Sequence, residues 1–254
     1  MNGAFPYWDL VRELVLRELR VRYRRSFFGF AWTMVQPLLM MSVLHVAFST
    51  IFRFEVVNYP VYVLAGLLFW NFFSQSIVAS MNSLRANARL LDKLPVPKSV
   101  FPLAVVISGV INLLLALAPL LALLIVTGHP LRPALLFLPV AIAIAALFTL
   151  GAGLLLGPLS VFFTDVVELV SVVLQLVLFL TPIMYPLAIL PERWQWVVRY
   201  NPLRSILEVF RDPIYHSKVP PLSHLSVALV LALAAFALGV LSFRRSSRRI
   251  SLYL

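Results

Sequence analysis

Six stretches without a single formal charge occupy most of this chain: 26–52, 56–84, 99–127, 133–164, 169–191 and 225–243. A helix needs ~20 apolar residues to cross a bilayer, and each stretch is long enough. With 61% hydrophobic and 12% charged residues among 254, the expectation is an all-α integral membrane protein with six transmembrane helices. Little chain is left for a soluble domain. The organisation expected is one transmembrane unit over 1–254, with an interfacial helix in 1–28 and a six-span bundle in 29–254. The bundle includes a segment at 187–223 that is not an ordinary loop. Such a protein moves something through lipid, works on something within it, or anchors something to it.

The net charge of +11 reads as topology and not as nucleic-acid binding. Basic residues gather in loops on the cytoplasmic side of a membrane. Here they gather before span one (Arg12, Arg17, Arg20, Arg22, Arg24, Arg25), after span two (Arg85, Arg89, Lys93, Lys98) and after span six (Arg244, Arg245, Arg248, Arg249). Six spans put these regions on one side, so both termini are expected in the cytoplasm. The third outer loop is the exception, with Arg193, Arg199, Arg204, Arg211 and Lys218. Ion pairs within that loop, lipid phosphates or a phosphate-bearing substrate each account for them.

The N-terminal segment has helical periodicity. Trp8, Val11, Val15 and Leu19 form an apolar stripe opposite Glu13, Arg17, Arg20 and Arg24. A basic amphipathic helix of this kind suits the headgroup layer, either as a topology anchor or as a docking surface for a cytoplasmic partner. Span two carries Asn71, Ser74, Gln75, Ser76 and Ser80 among its aromatics. Lipid contact does not call for these groups, so some are expected to face protein or a wet cavity. Gly153 and Gly157 allow close helix approach. Asp165, with Glu168 three residues on, has the spacing of a capping box at the start of span five. Pro182 and Pro186 then break that span, and broken backbone at membrane depth is tolerated only within protein or beside water. Asn201 followed by Pro202 reads as a cap and a first helical residue. Beyond it Leu203, Ile206, Leu207 and Phe210 share one face, with Arg204, Glu208 and Arg211 on the other.

No catalytic or metal-binding constellation stands out. No Gly is followed by Lys, so there is no phosphate loop; there is no His-Glu-x-x-His, and there is no cysteine. His45 alone in span one reads as packed or hydrogen-bonded. An ATP-driven function needs its nucleotide site on another chain.

Several motifs, in order, resemble the permease subunits of bacterial ABC exporters of polysaccharides and polyol phosphates, which export O-antigen, capsule or teichoic acid. They are LRVRYRRSFFGFAW at 19–32 with Gln36 and Pro37, LAGLLFWNFFS at 64–74, VFFTD at 161–165, LTPIMYP at 180–186 and YNPL at 200–203. Thr164 stands where the family pattern has a basic residue before the Asp, and Val96 where an aromatic often precedes the second proline. The resemblance implies a multi-pass protein of the bacterial cytoplasmic (inner) membrane. It pairs as a homodimer with two copies of an ATP-binding subunit, which holds ATP and Mg, so this chain binds no cofactor and has no catalytic residue. A lipid-linked glycan passes outward. The loop at 87–97 is implied as the coupling helix, with Asn87, Arg89, Leu91, Asp92, Leu94 and Pro95. The outer gate is implied at Trp194, Trp196, Arg199, Asn201, Pro202 and Phe210. Aromatic faces suit weak, repeated contact with a sugar polymer, which makes Trp32, Phe48, Phe69, Trp70, Phe73, Phe179 and Tyr185 the expected channel lining. A polytopic glycan or lipid transferase, using Asp165 or Glu168, and a non-transporting scaffold are the competing classes.

Overall fold

A computed structural model describes residues 5–23, 29, 31–48, 56–88, 90 and 96–253. Among them every regular element is helical: α1 (Phe5–Tyr23), α2 (Ala31–Val46), α3 (Tyr59–Ala86), α4 (Val100–Val126), α5 (Leu138–Phe162), α6 (Val166–Leu180), α7 (Glu192–Arg199), α8 (Pro202–Arg211) and α9 (Leu222–Tyr253), with short 3-10 and π turns between. Four helical segments are long and apolar enough to cross a membrane: α3, α4, α5 with the 3-10 turn before it (Pro133–Phe162), and α9 (within Leu222–Ser247). The apolar stretches around α2 and α6 form shorter helices. α2 has 16 residues, and α6 has 15 because it stops at Leu180, before the two prolines.

α3 is the hub. It packs against α4 and α5 along its length, and α5 packs most extensively against α9. Lipid is as apolar as leucine, so these helices are not held together by hiding apolar surface; close contact and hydrogen bonds must do it. One very close approach lies between Gly151 and Gly239. A Cβ at Gly151 would stand 2.5 Å from the backbone of Ala235 and Phe236, and one at Gly239 would run into the Gly151 carbonyl. The pair singled out in the sequence, Gly153 and Gly157, faces α3 instead: a Cβ at Gly153 would stand a tight 3.0 Å from Ser80, and one at Gly157 an ordinary 3.6 Å from Leu84. Hydroxyls along the spans mostly bond to carbonyls of their own helix, as Thr149 does to Ala145 and Ser171 to Val167. Ser160 is different: its hydroxyl also lies 2.6 Å from Met81 O and stitches α5 to α3.

α1 packs against the bundle. Val11, Leu14 and Val15 are buried in a cluster with Leu84, Phe101, Val161, Phe243 and Ile250, while Trp8 is exposed. Arg17 donates to Asn87 Oδ1 at 2.6 Å, and Asn87 Nδ2 donates to Ser83 O at 2.7 Å. This end of the bundle, with α1 and the basic tail, is the basic end. At the distal end Asn58 reaches His129 Nδ1 at 3.0 Å, and His129 Nε2 reaches Tyr215 O at 2.8 Å. Asn58 as donor leaves the imidazole proton on Nε2, which satisfies both bonds.

Candidate functional site

Between Val61 and Leu84, α3 buries every side chain but six. The six are Asn71, Ser74, Gln75, Val78, Ala79 and Asn82, spaced so that they form one stripe down one face. Four of them are polar. A helix that meets lipid shows it apolar residues, and an amide in hydrocarbon with no partner costs several kcal/mol, about 2–7 by reference state. The one open face of the most buried helix is therefore the wrong face for lipid and the right one for water or a polar solute.

Two hollows flank the stripe. One, of about 340 Å³, lies between α2, α3 and α4, where Trp32, Thr33, Gln36 and Asn112 meet Asn71 and Gln75. The other, of about 480 Å³, lies between α3 and α6, where Trp70, Ser171 and Gln175 meet Ser74 and Asn82. Gln75 and Ala79 line both. No charged side chain lines either hollow among the described residues. Neutral amides and hydroxyls with indole faces offer hydrogen bonds without a fixed charge, which suits a hydroxyl-rich solute that must also leave. α6 buries no residue at all, and Leu169, Val172, Leu176 and Phe179 stand exposed along it.

At the distal end of α6 the chain breaks at Thr181 to Pro186, and each carbonyl from Leu180 to Tyr185 lies within reach of a donor. Asn201 Nδ2 donates to Leu180 O at 3.2 Å. The Ile183 amide takes Thr181 O at 2.7 Å. Arg211 donates from Nη1 to Pro182 O at 2.8 Å and from Nη2 to Ile183 O at 3.2 Å. Tyr59 OH donates to Met184 O at 2.8 Å. Tyr62 OH stands 3.0 Å from both Pro182 O and Tyr185 O and shares its single proton between them. Two tyrosines of α3, with one asparagine and one arginine from α8 and its cap, thus replace the bonds that a continuous helix would have made.

α8 is seated deeply in the distal end. Leu203, Ile206, Leu207, Val209 and Phe210 are buried, and Asn201 caps it by accepting from Leu203 N at 3.0 Å. Arg204 pairs with Glu208 at 2.6 Å on the open side. Arg211 does not join them, although it shares their side of the helix; it is 3% exposed, because the last turn of α8 runs into the wall between α3 and the break. Its guanidinium carbon lies 3.9 Å from the centre of the Tyr62 ring. Beside it a cavity of about 420 Å³ is walled by Tyr62, Glu208, Arg211, Asp212, Tyr215 and His216. Burial raises the Asp212 carboxyl above the usual carboxylate range and lowers the His216 imidazole, each opposed by the charge of the other. α7 has the opposite character: Trp194 and Trp196 are 53% and 59% exposed, Arg199 is exposed, and only Val198 is buried.

The expected lining aromatics separate by place. Trp32 and Trp70 wall the two hollows. Phe69 and Phe73 sit in the core on the side of α3 away from the stripe, stacked in parallel 6.2 Å apart, with Phe210 and Phe148 beyond them. Phe48 lies against Tyr59 at the distal end, and Tyr185 donates its hydroxyl to Phe179 O. Phe179 is exposed. Of the expected coupling residues, Asn87 is buried and bonded to Arg17; Arg89, Leu91, Asp92, Leu94 and Pro95 lie outside the described residues. Asp165 is exposed and forms no side-chain cap; its own backbone is already helical, so the carboxylate does not reach the first-turn amides. The sequence reading gave no role to Tyr59, Tyr62 or Gly66, and it grouped Arg211 with Arg204 and Glu208 on the face opposite the apolar one. A tyrosine three residues from another near a span's start was the one available signal for the pair.

The profile of the ABC-2 type transporter family matches residues 9–215. An O-antigen export system permease protein of Myxococcus xanthus is 34% identical over 241 residues, covering 92% of each chain. One of Klebsiella pneumoniae is 29% identical over 245 residues, covering 95% of this chain and 93% of the relative. A polysialic acid transport protein of Escherichia coli is 24% identical over 244 residues, covering 92% of each.

Proposed function

The chain belongs to the ABC-2 type transporter family of membrane proteins, and from that premise we propose that it is the permease of an ATP-driven exporter of a lipid-linked polysaccharide, of the O-antigen or capsule kind. The observation that carries the reading is the polar stripe of α3 between its two hollows. A neutral, amide-rich surface inside an apolar bundle is what a sugar chain needs to slide along, and neither a scaffold nor an acid-base enzyme needs it. In this reading α2 and α6 cross the membrane with α3, α4, α5 and α9, giving six spans and placing both termini in the cytoplasm. The whole chain acts as one transmembrane unit. Two copies meet across the exposed faces left by α6 and the stripe, so that the hollows become the walls of one passage. α7 and α8 lie at its outer mouth. A separate ATP-binding subunit, with ATP and Mg, docks at the basic end through the loop at 87–97. Arg17, bonded to Asn87, ties α1 to the beginning of that loop.

Two measurements test this. Purification of the tagged chain from its native membranes in mild detergent is expected to retain a stoichiometric ABC-type ATP-binding subunit; its reproducible absence with the chain intact overturns the exporter reading. Replacing Gln75 and Asn82 with leucine is expected to lower surface polysaccharide about tenfold or more while the complex still assembles, the scale set by losing one to two hydrogen bonds to the moving solute. Unchanged export places the passage elsewhere.

A further inference from the structure

We propose that Arg211 pins α8 to α3, dividing the outer mouth into a fixed half, α8 with the broken segment, and a moving half, α7. The proposal rests on the outer-gate reading above only for what the halves do; the pin is a matter of contacts. Arg211 is buried, and its fork of donors holds two successive carbonyls, Pro182 and Ile183, that the proline break has freed. Its cation rests on the Tyr62 ring, and Tyr62 in turn reaches the same break. α3 has given up a side chain to admit it. A Cβ at Gly66 would collide with Arg211 Nη2 and stand 2.9 Å from Ile183 Cγ2. Gly66, Tyr62 and Arg211 thus form a notch, a lid and a bolt, contributed by two elements distant in the chain. A buried guanidinium with two carbonyl partners does not slide; it is seated or it is withdrawn. α7, with one buried residue, has no comparable tie.

The absence of cysteine makes the test direct. Single reporter cysteines, Met184→Cys in the broken segment and Trp196→Cys on α7, are introduced into the full chain with its partner subunit. Right-side-out membrane vesicles are then exposed to a membrane-impermeant maleimide. Met184 is buried and is expected to react slowly; Trp196 is exposed and is expected to react fast. Gly66→Ala, Arg211→Lys and Arg211→Met are each expected to speed labelling at Met184→Cys by about tenfold or more, the scale of a lost charged hydrogen bond, with Trp196→Cys unchanged. Alanine is the better helix former, so loosening by Gly66→Ala is steric and not a weakening of α3. Gly66→Ala added to Arg211→Met is expected to change nothing further, since both remove the same contact. Unaltered labelling in Gly66→Ala and Arg211→Lys, or effects that simply add in the double variant, overturns the pin. So does labelling at Trp196→Cys that rises in step with Met184→Cys, because then no half is fixed. If Arg211→Met does not accumulate, Gly66→Ala and Arg211→Lys carry the test, with Gly66→Ala placed on Arg211→Lys as the double variant. Labelling is read whether or not glycan moves, so a chain that labels as expected but exports no glycan counts against the function alone.

Discussion

α7 and α8 are neighbours in sequence, separated by two residues, similar in length and each with two arginines, yet the fold treats them oppositely. α8 sinks Leu203, Ile206, Leu207 and Phe210 into the distal end, while α7 leaves both tryptophans in the open. The difference lies in what each can bond to. α8 packs against the break in α6, where unpaired carbonyls wait for donors, and its cap Asn201 and last residue Arg211 supply them. α7 presents Trp194, Trp196 and Arg199, which find no such acceptors; Arg199 reaches only Gln195, one turn back. In a membrane, where apolar burial separates helices poorly, demand for hydrogen bonds decides which segment is held and which is free.

That contrast can be broken or sharpened by substitution. The largest effect is expected for Phe210→Ala: the ring is fully buried against Phe69, and its loss should destabilise the detergent-solubilised protein by about 3 kcal/mol, read from thermal unfolding. A change as small as that of an exposed residue would mean that α8 is not an anchor. Asn201→Ala is expected next, at about 1–2 kcal/mol, because it removes the cap of α8 and orphans Leu180 O together. Tyr62→Phe keeps the ring under Arg211 and deletes only the hydroxyl, so about 1 kcal/mol is expected; a larger loss would make Tyr62, not Arg211, the principal tie. Trp196→Ala should leave stability within about 0.5 kcal/mol while altering export. A large fall in stability there would show α7 to be structural after all.

What could be read from the sequence follows the same line. The break at Pro182 and Pro186, the Asn201 cap and the polar residues of α3 were legible because each breaks a local rule of an apolar helix. The notch at Gly66 was not, since a single glycine in a span has no periodic partner to mark it. Arg211 misled, because its side of α8 also holds the Arg204–Glu208 pair, and position on a helix face does not reveal where the helix end is driven. The stripe of α1 was visible, but an apolar face is the same whether lipid or protein covers it, and here it is the protein of the cluster around Phe101. That Phe69 and Phe73 turn into the core and away from the stripe was equally invisible, since all of α3 is rich in aromatics and only packing divides its sides.

The seat of Gly151 against Gly239 bears on how the molecule comes into being. α5 leaves the ribosome well before α9, so the groove that α9 fills stands empty while the remaining chain is made. α1, the earliest helix, shares its cluster with Phe243 and Ile250 of α9 and also waits for that last helix. Neither α1 nor α5 can finish its packing until α9 has been made, so this part of the fold closes late in synthesis.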